Sequence, residues 1–341
     1  MKKGKAFVFA GWWSIALVMV LGSCKKMLPV DRPAFSLESQ FTQDLYQPVL
    51  GRTTLMTNNF NAEGSTLPLT FRIINVRTFN DEPAPELLKL FPVEVWKKPY
   101  TGDEKTLAEI TAKRATEDHP LFEIREHSGE FIMWNSATSD ILKAQPDSGY
   151  LFDVEAFNDG GKRIFKNMKL RPFRERPYEP NNQNPITGAN SNPAIKPFTV
   201  TDMITDSTGS NMSADDISIY FYRKGEGNSL TLRFLDKRLQ PMDPDLFKDT
   251  KWNELLHGFN MQKTKEAVRY DVAFPIPLVE MPTRYTTFDG KQAKMVFAYS
   301  RQGFGNLRQD ASFQINFAIY RKGDWEMVIW FNRENPKFIN D

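Results

Sequence analysis

The sequence predicts an all-β protein, mainly antiparallel, built as two β-sandwich domains in tandem with one or two short helices. Three observations carry this. Short segments rich in β-branched and aromatic residues recur along the chain. Turn-forming clusters of Gly, Asn, Asp and Pro separate them. Only one stretch shows a strong helix-start signature, Thr106 followed three residues later by Glu109.

In chain order, Lys2, Lys3 and Lys5 precede an uncharged apolar run from Ala6 to Val20, the pattern of a secretory signal. A spanning helix needs about 20 apolar residues, so cleavage is expected in place of anchoring by a helix. Leu21-Gly22-Ser23-Cys24 resembles the bacterial lipobox. The Cys24 thiol is the atom a diacylglyceryl group alkylates, and two or three acyl chains anchor stably where one holds marginally. Residues 1–23 are thus expected to be a lipoprotein signal peptide and 24–34 a lipidated tether. The expected address is the outer membrane, by a lipid anchor, with either face open.

The full chain has 44 Lys+Arg and 42 Asp+Glu; removing the three signal-peptide lysines leaves 41 basic residues. A near-neutral mature chain has no surplus of basic charge for phosphates, so no nucleic-acid partner is expected. Cys24 is the sole cysteine, which excludes disulfides, catalytic thiols and thiolate metal sites. His119, His127 and His257 are the only histidines and have no metal-ligand spacing. No metal and no cofactor are expected.

The first sandwich is expected over 35–173, with strands at 36–42, 49–54, 67–76, 92–97, 121–127, 131–134, 150–157 and 163–170, and a helix at 106–116. Asn158-Asp159-Gly160-Gly161 between the last two strands is the strongest hairpin signal. Residues 174–197, where prolines and asparagines displace aliphatics, read as a linker; the alternative is a long ordered surface loop.

The second sandwich, with long loops, is expected over 198–341. Strands at 216–223 and 229–235 flank Lys224-Gly225-Glu226-Gly227, and strands at 313–321 and 325–332 flank Lys322-Gly323-Asp324, so two hairpins are expected. Further strands fall at 268–274 and 294–299, and a short helix at 244–256. Alternation places Trp325 with Met327, Ile329 and Phe331 on a buried face, and Trp330 with Glu326, Val328 and Asn332 on the other.

The stretch from Pro241 to Gly305 mixes aromatics, among them Trp252, His257, Tyr270, Tyr285 and Phe304, with Asp243, Asp245, Asp271, Arg284 and Asp289. Sugars suit such a mixture, because a pyranose presents a C–H face to a ring and hydroxyls to charged groups. Trp252, Asp271, Arg284, Tyr285, Asp289 and Trp330 are therefore the candidate ligand-binding residues, with no catalytic residue assigned. Asp271 with Asp289, or Asp243 with Asp245, could serve as a glycosidase carboxylate pair. Gly-x-Ser-x-Gly, phosphate-loop and dinucleotide-binding motifs are absent from the sequence.

The lipobox, the Asp153-Val154 strand running into Asn158-Asp159-Gly160-Gly161, the Pro/Asn-rich segment, and the strings Leu255-Leu256-His257-Gly258-Phe259-Asn260 and Tyr270-Asp271-Val272-Ala273-Phe274-Pro275-Ile276-Pro277 resemble an uncharacterised two-domain lipoprotein family of Bacteroidetes-type bacteria. That resemblance implies a setting beside Sus-type glycan-uptake systems and a polysaccharide as ligand. It supplies no catalytic residues. The expectation is a non-catalytic glycan-binding or uptake-accessory protein; the alternatives are an assembly partner of an outer-membrane transporter, and a glycoside hydrolase.

Overall fold

A computed structural model describes residues 32–341; the expected signal peptide and Cys24 lie outside the described residues. The chain is all-β and mainly antiparallel. Its first part comprises β1 (Gln40–Phe41), β2 (Leu45–Tyr46), β3 (Thr54–Met56), β4 (Phe60–Asn61), β5 (Thr70–Thr78), β6 (Leu90–Trp96), α1 (Leu107–Thr111), β7 (Arg114–Pro120), β8 (Phe122–Ile124), β9 (Phe131–Met133), β10 (Tyr150–Asn158) and β11 (Gly161–Leu170). Strands β2-β11-β10-β5 form one sheet and β3-β9-β8 another, while β6 and β7 pair as a separate ribbon.

Alternation along β10 sends Tyr150, Phe152, Val154 and Ala156 into a core with Phe122 and Phe131. Phe122 and Phe131 stack at 5.3 Å, and Phe152 meets Phe131 edge-on at 5.5 Å. The expected hairpin forms: Asn158 faces Gly161, and its Oδ1 accepts the N–H groups of Gly160 and Gly161. A Cβ on Gly160 would stand 2.3 Å from the Pro33 carbonyl oxygen, so the incoming chain can cross the turn only over glycine. Register shifts at Asp153 on both edges of β10 share one anchor. The Asp153 carboxylate, buried, accepts the Asn167 N–H at 2.8 Å and the Asn75 amide at 3.0 Å.

The helix is shorter than expected. Thr106 Oγ1 accepts the Glu109 N–H at 3.1 Å, as the capping signature requires. The chain leaves the helix at Thr111 because Arg114–Pro120 pairs with β6 over seven residues, and that pairing outweighs local helix propensity.

The second part comprises β12 (Tyr178–Glu179), β13 (Thr199–Thr201), β14 (Ile217–Gly225), β15 (Ser229–Leu235), β16 (Pro241–Met242), β17 (Gly258–Lys263), β18 (Val268–Val272), β19 (Ala293–Gln302), β20 (Arg308–Ile319) and β21 (Asp324–Phe331). One sheet has the order β14-β21-β15-β18-β17, with β16 beside β15. The other is built on β20, which pairs with β19 along one edge and with β12 and β13 along the other. Between them lies an aromatic core centred on Phe247, fully buried. The expected helix at 244–256 is two 3₁₀ turns, Pro244–Leu246 and Trp252–Glu254, that lower Phe247 and Trp252 into this core.

Both hairpins expected in this part are absent. β21 inserts between β14 and β15, antiparallel to the first and parallel to the second. β20 and β21 belong to different sheets, so Lys322-Gly323 crosses from one layer to the other. The two turns instead meet each other. Asp324 accepts from the Ser229 hydroxyl at 2.7 Å and the Gly227 N–H at 3.1 Å, and Arg223 Nε donates to the Lys322 carbonyl at 2.8 Å. A Cβ on Gly227 would lie 2.5 Å from the Asp324 carboxylate, so a larger residue there must push that carboxylate off its partners.

Residues 174–197 are ordered against the second part. Tyr178–Glu179 pairs with β20, and the buried Ile195 exchanges backbone hydrogen bonds with Ile219. The asparagines that suggested a linker close its turns: Asn182 Nδ2 donates to the carbonyls of Asn192 and Ala194, and the side-chain oxygens of Asn181, Asn184 and Asn192 accept backbone N–H groups. The two main clusters of buried apolar residues divide along the chain, and one of two small clusters, Tyr100, Ile110 and Leu278, joins the β6–β7 ribbon and α1 to the second part.

Candidate functional site

The six candidate residues do not converge. Trp252 is in the core, 8% exposed, with its ring edge-on to Phe234 and Lys263 over one face. Tyr285 is equally buried and stacks on His257 at 4.9 Å, while Arg284 covers its ring from outside and reaches Asp103. Asp289 closes its own turn by accepting from the Thr287 hydroxyl at 2.6 Å and the Lys291 N–H, which hold its carboxyl below the usual range. Among the aspartates of the second proposed pair, Asp243 caps a 3₁₀ turn and Asp245 pairs with Lys263.

His257 is fixed between the two parts of the chain. Its Nε2–H donates to the Glu104 carbonyl at 2.8 Å, so Nδ1 is the acceptor for the Tyr100 hydroxyl. Burial first, and nearby Arg284 and Lys105, push its pKa down; the Glu104 carbonyl and carboxylate oppose this. A neutral ring with both nitrogens satisfied is a structural joint. Beside it, a cavity of about 420 Å³ opens between α1 and β17, lined by Lys105, Thr106, Gly258, Phe259 and Asn260.

Asp271 and Trp330 do share a surface, the outer face of the six-stranded sheet. Alternation turns Ile217, Ile219, Met327, Ile329, Leu230 and Leu232 inward, which leaves Tyr220, Tyr222, Glu326, Val328, Trp330, Thr231 and Arg233 on the outside. The register aligns Tyr222, Glu326, Thr231, Arg269 and Gln262 in one row across five strands. At a strand spacing of about 4.8 Å this row is roughly 19 Å wide.

The rings on this face are held nearly parallel. Tyr220 and Tyr222 stack at 6.1 Å with 10° between their planes, and Lys224 lies 5.2 Å over Tyr222. Trp330 stands opposite Ser218 on β14 and Leu235 on β15, half-buried, and its indole N–H has no hydrogen-bond partner among the described residues. Charges alternate beside them. Arg233 Nε meets Glu326 at 3.0 Å, Lys224 reaches the same carboxylate at 3.6 Å, and Arg269 meets Asp271 at 2.8 Å. Asn260, at the cavity mouth, donates to Asp271 at 2.9 Å, so the outer face meets the cavity rim at Asp271, one row along from Arg269.

Sequence reading found Trp330 and its outward companions by alternation but missed Tyr220, Tyr222, Arg233 and Arg269. The same period-two signal marks Tyr220 and Tyr222 on β14. What the sequence withholds is that β21 lies beside them. Among the described residues no three His, Cys, Asp or Glu side chains group as a metal site would need.

Fold and face together define an all-β protein of mainly antiparallel sheets that presents one open, aromatic and charge-paired sheet surface. The chain belongs to the family described as a domain of unknown function (DUF5007), which matches residues 60–340. The match spans the second core, the Pro/Asn-rich segment, and the buried residues of the first core other than Tyr46 and Leu50. No curated protein and no solved structure matches the chain.

Proposed function

We propose that this is a lipid-anchored, glycan-binding lipoprotein of a Bacteroidetes-type outer membrane, an accessory to a Sus-type polysaccharide-uptake system, and that the glycan lies across the outer face of the six-stranded sheet. The observation that supports this reading is the near-parallel Tyr220–Tyr222 pair, beside Trp330 and flanked by paired charges. Parallel rings offer successive C–H faces of a sugar chain a platform, and the ion pairs offer its hydroxyls donors and acceptors already in place. Tyr222, 43% exposed, leads this surface. Hydrolysis is less well supported. A general acid needs a carboxyl whose pKa is raised, whereas Asp289 is held low and Asp271 is ion-paired.

The test is affinity electrophoresis of the mature chain over a polysaccharide panel. Tyr222→Ala and Trp330→Ala should each weaken retardation by about tenfold, the equivalent of roughly 1.4 kcal/mol, with the thermal midpoint of the Tyr222 variant unchanged. No retardation of the parent protein by any polymer would sink the reading.

A second reading, an assembly partner of an outer-membrane transporter, is favoured by the tip of the β19–β20 hairpin. Phe304 and Leu307, 91% and 70% exposed, project from a turn closed by the Gly303 N–H to the Leu307 carbonyl at 2.8 Å. A buried aromatic anchor typically dominates such an interface. Phe304→Ser should abolish co-purification of a transporter and leave glycan retardation intact; a complex that survives the change removes this reading.

A further inference from the structure

The end of the first sheet where the chain enters carries exposed aliphatic side chains that its fold does not use. Leu37, Leu67 and Ile164 are 87%, 70% and 40% exposed. Hydrogen bonds gather the segments that bear them. Arg163 Nη1 donates to the carbonyls of Leu37 and Ser39, both at 2.7 Å, and Asn158 Nδ2 donates to those of Ala34 at 3.0 Å and Thr66 at 2.8 Å. The Thr66 N–H adds a bond to Ala34 at 2.8 Å. Residues 34–37, 66–67 and 158–164 are therefore one edge of the molecule, at the β10–β11 turn.

Charge along β11 is one-sided, while Asp159 in the turn before it and Glu38 after Leu37 are the exposed acidic residues nearby. Strand β11 holds Lys162, Arg163, Lys166 and Lys169 and no acidic residue. Lys162 shares Glu155 with Arg72, and Lys169 pairs with Asp44; Arg163 and Lys166 meet no carboxylate among the described residues. Along most of its length the outer edge of β11 is also uncovered, since β2 pairs only with Lys169 and Leu170.

Distance decides what can reach this edge. Seven residues lie between Cys24 and Arg32, and the eight residue steps, fully extended, span at most about 29 Å. A lipid on Cys24 would keep Arg32 within that distance of a bilayer, and the Pro33–Gly160 crossing within about 32 Å. Aliphatic side chains beside a strand of cations fit the headgroup boundary of a membrane with anionic lipid.

We propose that this edge, with Leu37, Leu67 and Ile164 as its apolar contacts and Lys162, Arg163 and Lys166 as its cations, seats on an anionic phospholipid surface and sets the orientation of the anchored protein. The proposal rests on the anchoring of the chain at Cys24. Seating on the edge leaves the sheet faces upright beside the membrane.

The test couples the mature chain through its single cysteine to maleimide lipid in phosphatidylcholine–phosphatidylglycerol vesicles and compares it with uncoupled protein by hydroxyl-radical footprinting. Chemical coupling makes the result independent of whether a cell lipidates Cys24, which is read separately from the mass of the Cys24 peptide in cell membranes. Oxidation at Leu37, Leu67 and Ile164 should fall by about threefold on the vesicles, as withdrawal of apolar side chains from water requires, while Phe288 is unchanged. Lys162→Glu with Lys166→Glu should restore most of the oxidation. Unchanged rates at the three residues would overturn the proposal. So would rates at the three residues that are already as low as that of a buried side chain in uncoupled protein without vesicles, which would mean that residues 25–31 cover the edge, or protection that follows protein concentration without vesicles, which would mean a second copy does.

Discussion

Replacing Phe247 by alanine is expected to destabilise the protein by about 3–5 kcal/mol, the usual range for an aromatic core truncation. The ring is fully buried and lies within aromatic contact of Phe234 at 4.8 Å, Phe338 at 5.2 Å, Phe313 at 5.8 Å, Tyr299 at 6.1 Å, Phe331 at 6.2 Å and Phe297 at 6.3 Å. Those partners come from both layers of the second part. Six rings in fixed edge and stacked arrangements cannot all collapse into one vacated volume, so the cavity cost adds to the transfer cost. Urea unfolding should show a lower midpoint with an unchanged slope. A loss below about 1 kcal/mol would mean that the rings repack and that Phe247 is not the centre of the core.

Acidification is expected to release the joint between the two parts of the chain through Glu104. Its side chain is almost fully buried, and burial alone would raise its pKa; the Lys113 ammonium and the Thr101 N–H at 3.0 Å outweigh that and hold it at about 2, from an ordinary 4.5. The Gly102 N–H adds a third donor at 3.0 Å. Because the folded pKa is the lower one, the stabilisation is complete above about pH 5 and is lost as pH falls toward 2. The shift corresponds to about 3 kcal/mol. Thermal midpoints measured from pH 6 to pH 2 should fall across this window, and Glu104→Gln should flatten the dependence while lowering stability near neutrality. An equally steep acid dependence in the Gln variant would assign the effect to other carboxylates.

Local signals in the sequence carried the class of fold and the longer strands such as β5, β10, β11, β14, β15 and β21; they did not carry β7 or β17, nor the pairing. The Asn158–Gly161 hairpin was legible because donor, acceptor and turn lie within four residues. The turns at 224–227 and 322–324 read as hairpins by the same chemistry, yet each joins strands that never pair, because Asp324 holds the two turns together instead. Alternation in β21 separated buried Trp325 from half-buried Trp330 without help from the structure. The candidate face stayed hidden for a different reason: Tyr222, Glu326 and Arg269 align only across strands distant in sequence. Trp252 and Tyr285 looked available because irregular segments usually lie outside, whereas 3₁₀ turns and the His257 joint draw them in.

The position of β21 has a consequence for how the chain is made. Ser229 and Asp324, bonded neighbours in the finished sheet, are 95 residues apart. While a ribosome delivers the intervening chain, β14 and β15 each lack the neighbour that only β21 supplies. Nascent protein therefore passes through an interval of open strand edges whose length is set by the rate of delivery, not by any barrier within the sheet.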